Sequence, residues 1–175
     1  MTAGIVVYTV GHSNQAQERL VAALTKGGID LVVDVRSFPA SRRNPQFNRD
    51  VLVAALPGQG IGYRHLPELG GRRRPRAGSA NMALGDPGFR GFADYMATPE
   101  FEAGLVELIE TAKETRTAIM CAETLPWRCH RSLIADALVA RGVEVEHLIG
   151  GSRRRHALSL MARVEDGRVT YPALL

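Results

Sequence analysis

Five short runs dominated by apolar, β-branched residues recur along the chain, at residues 5–10, 30–35, 61–66, 117–120 and 143–149. They carry apolar side chains on both faces, the pattern of strands buried between helix layers. Between them, apolar positions return at helical spacing: Leu20, Val21 and Leu24, then Val51, Leu52, Ala55 and Leu56. Phe101, Leu105, Leu108, Ile109 and Ala112 form a third such stripe, and Leu133, Ile134, Ala137 and Leu138 a fourth. Start and stop signals agree with these helices. Ser13 or Asn14 is placed to cap the first and Asn48 the second, while Thr98, Pro99 and Glu100 open the third. Gly27 and Gly28, Pro57 and Gly58, and Gly142 end helices. Alternating strands and helices predict a single α/β domain over residues 1–175: a mainly parallel five-stranded sheet with helices on both faces. An Asp166-Gly167 turn between alternating residues predicts a C-terminal hairpin. A segment rich in Gly, Arg and Pro, from the PELGG at residues 67–71 to about Gly91, reads as a long loop that could cover a substrate, followed by a helical turn or two at residues 91–96.

Open parallel sheets bind ligands beyond the carboxyl ends of their strands. Those ends collect His12 and Ser13, Asp34 and Arg36, His65 and Glu68, Cys121 and Glu123, and His147, so three of the five histidines fall there. The densest stretch is CAETLPWRCHR, residues 121–131, between the fourth strand and the helix after it. Cys129 and His130 are expected in that helix's first turn, where free amides and the dipole favour negative charge. Arg128 and Arg131 flank them against that preference, so an anion or a thiolate is expected between them. Asp34, an acid in an apolar run, needs a partner: Arg36, a backbone donor or a ligand. Glu123 could orient an imidazole, act as a general base or pair with Arg128 or Arg131. Trp127 offers either a stacking surface or a cover for the core.

Charge and cysteine content narrow the classes. The net charge of +4 is modest, but Arg72, Arg73, Arg74 and Arg76 form one basic cluster and Arg153, Arg154 and Arg155 another. Such clusters suit phosphate-bearing partners as well as plain solvated loops. Two cysteines and an N-terminus without a basic leader or sustained apolar run predict a cytoplasmic protein with no membrane segment. Three chemistries remain open: a thiol nucleophile with His12 or His130 as acid/base, a Cys121–Cys129 redox pair, or a metal held by Cys121, Cys129, His130 and His147. The sequence specifies no cofactor and no oligomeric state.

Taken together, GHS after the first strand, DVRSFP after the second, YRHLPELGG after the third, CAE with CHR beyond it and HL ending the fifth resemble the bacterial and archaeal family named for a domain of unknown function, number 488. The resemblance runs from about Tyr8 to Gly150, leaving residues 151–175 as an extension. It implies a compact α/β domain with a polar cleft and, as candidate positions, His12, Ser13, Asp34, Arg36, His65, Cys121, Glu123, Cys129, His130 and Arg131. It implies no activity. The chemistry of these groups leads to an expected enzyme, a transferase or hydrolase, acting on an anionic small molecule, nucleotide or nucleic acid. Cys121, Cys129, His130, Glu123 and His12 would be catalytic. Ser13, Asp34, Arg36, His65, Arg128, Arg131, Arg72 and Arg73 would bind substrate. The alternatives are a nucleic-acid-binding accessory module and a metal-binding or redox regulatory protein.

Overall fold

The computed structural model describes residues 4–173. In chain order the elements are β1 (Val6–Gly11), α1 (Gln17–Lys26), β2 (Leu31–Asp34), α2 (Arg49–Ala55), β3 (Gly62–His65), α3 (Pro87–Tyr95), α4 (Pro99–Glu114), β4 (Thr117–Cys121), α5 (Arg131–Val139), β5 (Glu144–Ile149), β6 (Ser152–Arg155), β7 (Arg163–Glu165) and β8 (Arg168–Thr170). The main sheet runs β3-β2-β4-β1-β5-β6. Its first five strands are parallel, as the apolar runs predict, and the single domain is α/β.

Side-chain alternation splits the core into two layers. Tyr8, Val10, Val32, Ala118 and Met120 pack under α1 and α2 through Leu20, Leu24 and Leu52. Val7, Val33, Ile119 and Val145 pack under α3, α4 and α5 through Phe92, Phe101, Leu105 and Ile134. The neighbouring strands β1 and β4 therefore send their following helices, α1 and α5, to opposite faces. That divergence opens a crevice at their carboxyl ends, where Gly11 pairs with Cys121.

Local differences from the expected elements have identifiable causes. The sheet has a sixth, antiparallel strand, because Gly150 and Gly151 both take positive φ (55° and 81°) and turn β5 straight into β6. The arginine cluster at residues 153–155 is thus an edge strand, not a loop. The expected terminal hairpin is present as β7 and β8, with Asp166 at φ 51° and Gly167 at φ 75°. Ala16, not Ser13 or Asn14, occupies the N-cap position of α1, and Ser13 sits in the left-handed region at φ 54°. Asn48 precedes α2 as expected, but its side chain accepts from Ser41 N at 2.6 Å instead of capping. Thr98 does cap α4, accepting from Phe101 N. The long loop ends earlier than Gly91, because Asp86 caps α3 and Pro87 occupies its first turn.

Candidate functional site

The crevice is built by close approach of β1 to the loop after β4. Past the paired strands, His12 N donates to Cys121 O at 3.0 Å and Ser13 N to Ala122 O at 2.9 Å. A Cβ on Gly11 would lie 1.8 Å from Glu123 O, so only glycine admits the loop here.

Cys121 ends β4, and Cys129 follows a single helical turn, Pro126–Arg128; both thiols are buried. Cys129 and His130 thus precede α5 instead of forming its first turn, with His130 at the N-cap position. Their side chains meet those of the strand end: Cys129 Sγ donates to Cys121 Sγ at 2.7 Å and lies 3.3 Å from His130 Nδ1. His130 Nε2 is 2.8 Å from Val35 O. A carbonyl only accepts, so Nε2 carries the ring proton and Nδ1 turns its lone pair to Cys129. Gly71 permits this approach, since a Cβ there would lie 2.4 Å from Nδ1.

The thiol–thiol hydrogen bond divides the charge. It pulls Cys121 below the usual thiol range against the effect of burial, with the Arg131 guanidinium adding to the pull. The same bond, together with burial, pushes Cys129 up. Burial lowers His130 to about 4, leaving it neutral near pH 7. Of the two thiols, Cys121 is therefore the one that gives up its proton first, while Cys129 keeps its own.

Arg131 is fully buried and staples the loop, with Nη2 donating to Glu123 O (2.9 Å) and Thr124 O (3.0 Å). Among the described residues its Nε has no hydrogen-bond partner. The expected anion ligand is instead a buried cation beneath the loop. Glu123 is exposed on the cleft wall, and among the described residues its carboxylate pairs with neither Arg128 nor Arg131.

Asp34 and Arg36 pair with each other. Arg36 Nε donates to Asp34 Oδ1 (2.9 Å), its Nη2 to Oδ2 (2.7 Å) and to Phe47 O (2.8 Å), and the Tyr63 hydroxyl donates to the same Oδ2. Arg36 Nη1 lies 3.2 Å from His12 Nε2, while His12 Nδ1 donates to Ser13 O at 2.7 Å. Both His12 nitrogens are engaged, and burial lowers its pKa. His12 and Arg36 reach the cleft as a tied assembly, which leaves His130 as the imidazole with a lone pair directed at a thiol. His65 Nε2 donates to Arg36 O at 2.7 Å, behind the cleft.

The cleft itself, about 730 Å³, has both thiols, His130, His12 and Arg36 along its floor. Phe38 (67% exposed) and Trp127 (52% exposed) are exposed rings that also line it. Each ring is covered by an arginine: Arg72 is 5.4 Å from the Phe38 centroid and Arg154 is 5.5 Å from that of Trp127. Arg128 also lines the cleft. Three other members of the basic clusters are occupied elsewhere. Arg73 lies over Tyr95 at 3.6 Å and donates to Gly70 O, while Arg153 and Arg155 face Glu146 and Glu144 across β5. A larger depression of about 1030 Å³, at the amino ends of the strands near Gly4, Arg116 and Arg141, contains neither thiol nor imidazole.

Sequence reasoning passed over a second polar cluster. Thr9 Oγ1 bonds His147 Nδ1 (2.6 Å), His147 Nε2 bonds His156 Nδ1 (2.9 Å), and His156 Nε2 bonds Asp136 Oδ1 (2.7 Å). Tyr171 OH donates to Asp136 Oδ2 at 2.7 Å, and Ser159 N to Oδ1 at 3.1 Å. Because Asp136 only accepts, it fixes the tautomers along the chain back to Thr9. His147 is thereby committed to this network and stands apart from the thiols. Among the described residues no group of three or more His, Cys, Asp or Glu side chains could hold a metal ion. Phe38 and Tyr63 are further site residues the pattern did not single out; an aromatic beside the DVR and RH motifs was the available signal.

Among the described residues no helix is long and apolar enough to cross a membrane. A family model described as "Domain of unknown function DUF488" matches residues 16–138, well over half of the 175-residue chain. No curated protein and no solved structure matches it.

Proposed function

The chain belongs to the DUF488 family, whose description carries no reaction, and from the chemistry of its cleft we propose a thiol-dependent enzyme, a transferase or hydrolase, acting on a nucleotide or nucleic acid. One observation carries this reading: a Cys121–Cys129–His130 line lies in a cleft that is also lined by two exposed aromatic rings, each with an arginine over it. Exposed aromatic rings stack on bases, and nearby guanidinium groups complement phosphates. Cys121, held as thiolate by the Cys129 S–H and the Arg131 field, is the nucleophile. His130 Nδ1 takes the proton when one must leave Cys129. Arg72 and Arg128 at the rim are the phosphate ligands, and Glu123 is placed to handle a proton at the substrate.

Trp127 is the chain's one tryptophan, so its emission reports directly on the cleft. Titration with a single-stranded oligonucleotide, a nucleoside triphosphate and inorganic phosphate should quench or shift it for the first two and leave it unmoved by the third. Turnover of the bound substrate should disappear in Cys121→Ser while binding remains. No response to either nucleotide probe would remove the proposal. A second reading, a binding module without catalysis, draws on the same arginine-covered rings. It requires binding that weakens steeply with salt and is indifferent to both cysteines.

A further inference from the structure

Cys121 and Cys129 are the chain's two cysteines, so a disulfide formed within one molecule has one possible pairing. Their sulfurs, 2.7 Å apart, need approach by less than about an ångström to reach the roughly 2.05 Å of a disulfide. Both face a cleft large enough for a small thiol compound, and His130 Nδ1 waits 3.3 Å from Cys129 Sγ with its lone pair free. We propose that this pair is a working dithiol, in which Cys121 attacks small-molecule disulfides and Cys129 resolves the product to an internal disulfide. The proposal is independent of the substrate class proposed above.

The first step forms a bond between Cys121 Sγ and one sulfur of the disulfide RSSR, breaks the S–S bond of RSSR and releases RS⁻. In the second, Cys129 gives its proton to His130 Nδ1 and its sulfur attacks Cys121 Sγ, expelling a second RS⁻. His130 returns the proton to that leaving group, and solvent protonates the first. The dithiol is oxidised by two electrons and RSSR is reduced to two RSH. The asymmetry of the pair supports this order: the thiolate forms on Cys121, and the resolving thiol keeps its proton beside a base. Oxidation would remove the nucleophile from the cleft, and a monothiol reductant in excess would restore it.

Trypsin cleaves after Arg128, so it separates Cys121, in the peptide 117–128, from Cys129, in 129–131. Full-length reduced protein treated with oxidised glutathione, then alkylated under denaturing conditions and digested, should yield these two peptides joined, and free thiol should fall from two per chain to none. Cys129→Ser should stop at a glutathione adduct on Cys121, and Cys121→Ser should lose most of the reactivity of Cys129. Wild-type protein that stops at the glutathione adduct, forms covalent dimers or keeps both thiols would overturn the proposal. If the linked peptides form while no nucleotide probe binds, the dithiol stands and the substrate reading falls.

Discussion

The protein contains two buried polar clusters built from similar parts, and they differ in what is left over. In the Thr9–His147–His156–Asp136–Tyr171 network every ring nitrogen and both carboxylate oxygens have a partner, and its members tie β1, β5 and α5 to the segment after β6. In the cleft, the single Cys129 proton is directed at Cys121, the His130 Nδ1 lone pair faces the Cys129 sulfur, and both cysteines line open volume. A fully satisfied network rigidifies; an unsaturated one can exchange a proton or form a bond. The histidines alone do not distinguish the two, whereas their remaining valences do.

Breaking the closed network should have the largest effect on stability. Asp136→Ala removes the acceptor for His156, Tyr171 and Ser159 N together. At about 1–3 kcal/mol for each buried group left unpaired, a loss of at least roughly 3 kcal/mol is expected in urea unfolding. The alkylation rate of Cys121 should stay unchanged. A loss under about 1 kcal/mol, or a changed alkylation rate, would erase the distinction between the clusters.

Acid should act on both clusters through their neutral histidines. Burial lowers His130 to about 4 and His147 to about 3, from an ordinary value of 6.5. As pH falls through 6.5 the unfolded chain therefore binds protons before the folded one. Stability is fully present above that value and is lost toward pH 4 for His130 and pH 3 for His147, at up to about 1.4 kcal/mol per pH unit for each group. Urea midpoints that stay level from pH 6.5 to 4 would contradict both assignments.

Smaller effects belong to the open side. Phe38→Ala and Trp127→Ala should each weaken binding of a labelled single-stranded oligonucleotide by about 1–3 kcal/mol, measured by anisotropy, with little change in unfolding midpoint. Arg154→Ala, which removes a cation 5.5 Å from the Trp127 ring, should cost about 0.5–1 kcal/mol in the same assay. Equal binding by all three variants would leave the exposed rings of the cleft without a role.

How much of this was legible in the chain follows from which interactions are local. The five parallel strands and the helices on both faces were readable because apolar periodicity is a local signal. The thiol loop was readable because its residues lie close in sequence. Less visible was what each group spends its hydrogen bonds on. Asp34 and Arg36 are two residues apart, yet the Tyr63, Phe47 and His12 contacts that absorb them come from separate elements. Arg131 reads as an anion ligand until its burial beneath the loop is known. The sixth strand was hidden because three arginines look like a loop, although Gly150-Gly151 was the hairpin signal. His156 and Asp136 meet across twenty residues and two elements, a pairing no spacing rule contains.

The central claim is that Cys129 holds Cys121 as the cleft's thiolate. The pH dependence of Cys121 alkylation by iodoacetamide, compared between wild type and Cys129→Ala, tests it directly. Wild type should show an inflection below the ordinary thiol value of about 8.5, and the variant, lacking the S–H donor, should show it displaced upward. A wild-type inflection at or above the ordinary value, or one that Cys129→Ala leaves in place, would contradict the account.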